Sequence, residues 1–258
     1  MYNSLQLREL FHLEFLRWFG RKTKANLYAL KGGTNLRFFF NSFRYSEDMD
    51  LDVREVEVSI LKDTVMNILE AVSFSEILKP FGISEIVPPN ITRAKQTETT
   101  QRFKIHLITY SGEDLFTKIE FSRRGFNGKI DIQPIADVIL RMYKLAPLLT
   151  PHYDSLSAIT QKIEALASRT VIQARDIFDL YVLNSQYDPF AMKKIGMNPE
   201  RLKKAYENIF AVSFKQFRDT VILYLSSEDQ AVYDSSLIWD EIRLKVGKLI
   251  EEMKVQDE

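Results

Sequence analysis

Two aspartates one residue apart, Asp48 and Asp50, set around Met49 and followed by Leu51, are the side chains of this chain best suited to chemistry. A glycine pair, Gly32-Gly33, ends fifteen residues before the first of them. In an extended strand residues i and i+2 face the same way, so both carboxylates share a face while Met49 and Leu51 point into a core. Carboxylates held side by side repel and raise each other's pKa, a strain that a divalent cation relieves. Oxygen donors of this kind suit Mg2+ or Mn2+. The plain alternative is a solvated acidic strand edge, and Asp52, next in the alternation, is expected to face solvent.

The glycines follow the apolar run Leu27-Tyr28-Ala29-Leu30 and Lys31. Glycine tolerates positive φ and has no Cβ, so a pair of them suits a turn where backbone comes close to a ligand. A helix starting at Thr34 would aim free N–H groups and the positive end of its dipole at that ligand, which favours phosphate. A phosphate seat followed by a carboxylate pair is what metal-assisted phosphoryl or nucleotidyl transfer requires.

The elements that must hold these residues can be read along the chain. Leu5, Leu7, Leu10, Phe11, Phe15, Leu16 and Trp18 recur at helical spacing before Gly20, a scaffold helix. A strand over 27–30 leads into the glycine turn, and a helix over 34–41 follows. Ser46 is suited either to a phosphate or to capping the turn before Asp48. Residues 56–79 carry one helical pattern that ends at Lys79-Pro80-Phe81-Gly82. Strands over 103–110 and 115–122 form a hairpin about Ser111-Gly112-Glu113-Asp114. In the second of these, Ile119-Glu120-Phe121 repeats the hydrophobic-acid-hydrophobic pattern; a metal-assisted transfer needs an acid to position or deprotonate the attacking hydroxyl, for which Glu120 is the candidate, with Lys118 on its face as an expected partner.

After a short strand over 129–133 the strand alternation ends, and from Pro134 the pattern is helical. The division expected is 1–135 and 136–258. In the second part Asp154 or Ser155 caps a helix carrying Lys162 and Arg169, and the next helix carries Arg175, Asp176 and Asp179. Three more helices are expected, over 198–211, 213–225 and 235–255. Two basic groups, Arg93, Lys95, Arg102 and Lys104 in an arm over 92–101 and its flank, and Lys193, Lys194, Arg201, Lys203 and Lys204, suit RNA phosphate or plain solvation.

The strings Leu30-Lys31-Gly32-Gly33-Thr34, Arg44-Tyr45-Ser46-Glu47-Asp48-Met49-Asp50, Lys162-Ile163-Glu164-Ala165-Leu166 and Arg175-Asp176-Ile177-Phe178-Asp179-Leu180 stand in this order. They resemble the AbiEii/AbiGii toxin family of the nucleotidyltransferase superfamily. The resemblance implies an α/β fold, a nucleotidyltransferase-type mixed sheet with helices followed by an α-helical domain that contributes to the active-site cleft. It implies transfer of a nucleoside monophosphate from an NTP to an acceptor hydroxyl, tRNA among the candidates, in a growth-inhibiting toxin of a type IV toxin–antitoxin or abortive-infection system. A separately encoded antitoxin with a DNA-binding domain is the implied partner. By this resemblance Asp48 and Asp50 hold Mg2+ or Mn2+. Lys31, Gly32, Gly33, Thr34 and Ser46 line the nucleotide seat, Glu120 positions the acceptor, and Lys162 meets the phosphates with Asp176 beside it. Asn35 departs from the pattern, standing where a small residue is usual. The rival readings are nucleotidylation of a protein or small molecule, and a nucleotide-binding module without turnover.

Composition narrows the classes further. The chain has 258 residues, 45% of them hydrophobic and 27% charged, which is ordinary for a globular protein and adequate for a core. Thirty-five basic side chains balance 35 acidic ones, so any nucleic-acid face must be local. The absence of cysteine excludes thiol nucleophiles and zinc–thiolate sites, and the three histidines, His12, His106 and His152, are scattered. Charges interrupt every apolar run, so no membrane segment or signal peptide is expected, and a cytoplasmic location is.

Overall fold

The computed structural model describes residues 2–91, 95–190 and 196–255. The chain divides into two compact units, one of Met1–Phe38 with Tyr45–Tyr153, the other of Phe39–Arg44 with Asp154–Glu258.

The first unit is an α/β layer built on a seven-stranded mixed sheet. Its strands are β1 (Tyr28–Lys31), β2 (Met49–Val53), β3 (Ile83–Val87), β4 (Thr100–Thr109), β5 (Asp114–Ser122), β6 (Ile130–Pro134) and β7 (Leu149–Tyr153), in the order β3-β4-β5-β2-β1-β7-β6. The β2–β5 and β1–β7 pairs are parallel and the others antiparallel. Alternation sorts the strands into two faces. Phe103, Ile105, Leu107, Leu115, Ile119, Phe121, Met49 and Leu51 are buried. Against the same layer lies α1 (Ser4–Lys22), opened by a capping box between Asn3 and Gln6. The Phe19 ring packs on Phe121 at 5.3 Å and on Tyr28 at 5.1 Å, so the aromatic stripe of α1 is core, as its spacing suggests. Buried Glu9 takes a two-pronged grip from Arg37 of α2 (Gly32–Phe39), at 2.8 and 3.2 Å, which ties the helix after the glycines to α1.

Several boundaries differ from those expected. The helix after β1 opens at Gly32 itself rather than at Thr34. The pattern over 56–79 breaks into α3 (Val58–Leu69) and α4 (Val72–Leu78), with a 3-10 turn over Lys79–Phe81 and then strand β3. Strands do not end near Pro134: β7 pairs with β1, and α5 (Asp137–Met142) lies between β6 and β7. Arg93, with its neighbours over 92–94, and Lys193 and Lys194 lie outside the described residues.

The second unit is helical: α6 (Ser155–Ser168), α7 (Ala174–Leu183), α8 (Pro199–Phe210), α9 (Phe214–Thr220), α10 (Ser227–Tyr233) and α11 (Ser236–Val255). Asp154 caps α6 by accepting from the Ser157 N–H at 2.9 Å. The expected helix over 213–225 is shorter than its pattern and is followed by a 3-10 turn and α10. Trp239 is fully buried, stacked on Phe217 at 4.3 Å, and its indole N–H donates to the Val212 carbonyl at 3.1 Å. Among the described residues no helix is long and apolar enough to cross a membrane.

Trp239→Ala removes the largest buried ring of this unit and takes from the Val212 carbonyl its shorter hydrogen bond, leaving that from Arg243 at 3.4 Å. It is expected to lower the stability of the second unit by about 3–5 kcal/mol in denaturant titration; a change under about 1 kcal/mol would contradict this packing.

Candidate active site

Strand β1 hands the chain to Gly32, whose φ of 70° lies in the left-handed region. A Cβ built at Gly32 would stand 2.9 Å from Asp50 Oδ2. Glycine is therefore required twice here, by conformation and by the approach of the acidic side chain. Asp50 pairs across the sheet with Lys31 of β1 on one side and with Glu120 of β5 on the other, and Glu120 pairs in turn with Arg102 of β4. Residues directly opposite one another share a face. The register thus lines up Lys31, Asp50, Glu120 and Arg102 in one row, cation outermost on each side and two carboxylates within.

Asp48 precedes β2 and is fixed through its backbone. Its carbonyl accepts from the Thr34 hydroxyl at 2.9 Å and the Ser46 hydroxyl at 2.7 Å. The next carbonyl back, that of Glu47, accepts from Thr117 at 2.7 Å. Because Thr117 has spent its proton there, its oxygen accepts from His12 Nε2 at 2.8 Å, which places the proton of that buried imidazole on Nε2. Two of the expected nucleotide contacts, Thr34 and Ser46, thus hold Asp48 in place. Lys118 pairs with Asp48 at 2.9 Å and not with Glu120, whose partner is Arg102 at 2.6 Å. Lys118 precedes β2's pairing partner on β5, so it falls beside Asp48 rather than beside its strand neighbour Glu120.

Asp50 carries the unusual electrostatics. Burial pushes its pKa above the ordinary carboxylate value; Lys118 and Lys31 oppose the shift, and Glu120 and Asp48 add to it. Among the described residues it makes no hydrogen bond or ion pair. Asp52, expected in solvent, is buried instead, with Lys31 Nζ at 2.6 Å and the Tyr153 hydroxyl donating at 2.6 Å. Its position facing β1 and β7 closes the solvent side that a lone strand would have left open. Burial and the Asp52 carboxylate hold the Tyr153 pKa high, so the phenol keeps the proton it donates.

Among the described residues no three carboxylate or imidazole groups converge as a ready metal cage. The half-buried, unbonded Asp50 beside Asp48 nevertheless fits a hard cation, since Mg2+ is commonly held by one or two carboxylates and completed by substrate phosphates and water.

In the second unit Lys162 Nζ lies 2.9 Å from Asp176 and 2.6 Å from Asp179, both fully buried. Arg44 reaches Asp179 at 2.9 Å and Arg169 reaches Asp176 at 3.1 Å. Three cations surround two carboxylates. Burial alone would lower the Lys162 pKa, but Asp179 and Asp176 outweigh it and hold the ammonium above its usual value. Burial would likewise raise Asp179, and Arg44 and Lys162 overturn that, holding it below the usual range. Spacing on α6 and α7 brings Lys162 and Asp176 into view, whereas the pairing of Arg44 with Asp179, 135 residues apart, has no signal in spacing. Arg175 is exposed. Of the second basic group, Arg201 is neutralised by Glu164 at 2.7 Å.

Gly32→Ala is expected to lose about 1–2 kcal/mol of stability from the left-handed φ alone, with the Asp50 carboxylate displaced as well; an unchanged unfolding midpoint would contradict the close approach. His12 has its pKa pushed down to about 4, chiefly by burial, with Asp48 opposing and Arg8 adding to the shift. Between pH about 6.5 and about 4 the unfolded chain takes up this proton and the folded chain does not, so stability falls as pH falls through that window, by about 3 kcal/mol in all. His12→Gln, which keeps an N–H for Thr117, is expected to flatten this part of the stability profile relative to wild type; parallel profiles would contradict the buried neutral imidazole.

Comparison with known proteins bears on this arrangement. The crystal structure of JHP933 from Helicobacter pylori is similar over 100% of this chain and 94% of its own, at TM-score 0.61 and 18% identity. That of a putative nucleotidyltransferase from H. pylori is similar over 100% and 97%, at TM-score 0.58 and 17% identity. MenT4, a nucleotidyltransferase toxin from Mycobacterium tuberculosis, is similar over 97% and 84%, at TM-score 0.62 and 17% identity. At these identities the likeness is one of fold. No curated protein matches the chain. The family described as nucleotidyl transferase AbiEii toxin, type IV TA system, matches residues 14–241, which take in the glycine turn, the acidic strand, Glu120 and the α6–α7 pair. The chain belongs to that family, the AbiEii nucleotidyltransferase toxins of type IV toxin–antitoxin systems.

Proposed function

We propose that this chain transfers a nucleoside monophosphate from an NTP to an acceptor hydroxyl on RNA, with tRNA the first acceptor to try, and that the row through Asp50 is where the transfer occurs. The observation that carries this is the Asp50 carboxylate, unbonded and half-buried, between Glu120 and the backbone of Gly32. Asp48 and Asp50 would hold Mg2+ or Mn2+, which supplies charge neutralisation on the NTP phosphates when bound.

The chain's own groups account for the rest. Gly32 and Gly33 open α2, and their free N–H groups seat the phosphates. Thr34 and Ser46 keep Asp48 aligned through its carbonyl. Glu120, steadied by Arg102, orients the acceptor hydroxyl and accepts its proton as the hydroxyl oxygen bonds to the α-phosphorus. The bond from that phosphorus to the bridging oxygen breaks, and pyrophosphate leaves. Lys31 braces Asp52 and with it the β1–β2 pair that aligns the site. Lys162 belongs to this proposal as the cation that meets phosphate charge, with Asp176 and Asp179 setting its place. Growth inhibition in a cytoplasmic setting, relieved by a separately encoded antitoxin with a DNA-binding domain, completes it.

Purified protein incubated with Mg2+, each α-labelled NTP and total tRNA is expected to label RNA. Asp48→Ala and Asp50→Asn are each expected to lower that labelling at least about a hundredfold and to abolish growth arrest on expression. Labelling of protein or of a small molecule in place of RNA would overturn the acceptor; labelling and arrest that ignore both substitutions would overturn the site.

A further inference from the structure

The face of β4 and β5 that carries Glu120 continues away from the acidic row. Opposite one another on it stand Lys104 and Lys118, and beyond them His106 and Phe116. The Phe116 ring is 60% exposed and stacks on His106 at 4.7 Å with 20° between the planes. His106 is itself held by Asp114 at 2.6 Å, and the Phe116 carbonyl by Arg8 at 2.8 Å, so the pair is a braced surface. Lysines directly opposite one another weaken a sheet. Lys118 has Asp48, but Lys104 is exposed and makes no hydrogen bond or ion pair among the described residues.

A cross-strand aromatic pair can serve the hairpin alone. That reading leaves the exposed ring face and the unpaired Lys104 unexplained. Both are explained by an anionic, unpaired polynucleotide: cations track its phosphates and an aromatic face takes a base of any kind. Phe116 lies four residues before Glu120 on β5, about 13 Å along the strand, with Lys118 halfway. A strand whose terminal hydroxyl reaches Glu120 would run over Lys118 and Lys104 onto the Phe116 ring.

We propose that the open face of β4 and β5 is the acceptor platform, on which a base of single-stranded RNA near the acceptor hydroxyl stacks against Phe116 while its phosphates lie on Lys104 and Lys118. The proposal rests on the reading of Glu120 as the group that meets the acceptor. Its test is direct binding by the full chain, without NTP, of a short fluorescein-labelled single-stranded RNA and of the same sequence in a duplex, followed by anisotropy. Phe116→Ala is expected to bind the single strand about tenfold more weakly and the duplex unchanged, and Phe116→Tyr to bind like wild type. Lys104→Ala is expected to weaken binding and to reduce the salt slope by about 0.7. Equal loss on both RNAs, or no loss with Phe116→Ala, overturns the platform, and so does a wild type that prefers the duplex. Label transfer to an acceptor in the same preparations would then leave the transfer reading standing. RNA binding that depends on Phe116, without label transfer to any acceptor, would support the platform and sink the transfer reading.

Discussion

A carboxylate half removed from water, beside two others and without a hydrogen bond among the described residues, destabilises the fold that keeps it, and Asp50 is that carboxylate. Its neighbours show that the strand could have done otherwise. Asp52, two residues on and more deeply buried, is satisfied at 2.6 Å by both Lys31 and Tyr153. The difference lies in where the nearby cations go: Lys31, directly opposite Asp50, bonds Asp52, and Lys118 bonds Asp48, which leaves Asp50 beside Glu120 and the bare backbone of Gly32. Unsatisfied groups of this kind concentrate where a ligand completes them.

The remaining features of the first unit read as consequences. Gly32 lacks a Cβ because the Asp50 oxygen occupies its place. Three hydroxyls, from Thr34, Ser46 and Thr117, hold two successive carbonyls so that Asp48 enters the strand in one orientation. Lys118 and Arg102 take one carboxylate each and leave the middle one. Behind them α1 supplies both the aromatic core and the buried, neutral His12 that closes the chain of hydroxyl bonds. The alternating rows of β4 and β5 then extend the same face outward as charge and aromatic surface.

Much of this was legible in the chain because its cause is local. A glycine pair after an apolar run, and acids at period two between apolar residues, announce their geometry without tertiary context, and so does the Ile119-Glu120-Phe121 triplet. The family resemblance supplied the order of the pieces, and the match over residues 14–241 bears it out. What stayed hidden depends on register or on distant partners. Pro151 argues against a central strand, so β7 was missed, and with it the Tyr153 hydroxyl that buries Asp52. Lys118 was assigned to Glu120 from their shared face, whereas the parallel register with β2 delivers it to Asp48. Arg44 and Asp179 meet across 135 residues, which no spacing rule can anticipate.

The central claim is that the fold keeps the Asp50 carboxylate without a protein partner among the described residues, open to a cation. Thermal unfolding of wild type and Asp50→Asn, each with EDTA and with Mg2+ plus NTP, tests it most directly. The account requires Asp50→Asn to unfold at the higher temperature in EDTA, because the amide replaces a carboxylate whose charged form its surroundings disfavour, and to gain little from Mg2+ and NTP, while wild type gains clearly. An Asp50→Asn protein that is no more stable in EDTA and gains as much as wild type would contradict it.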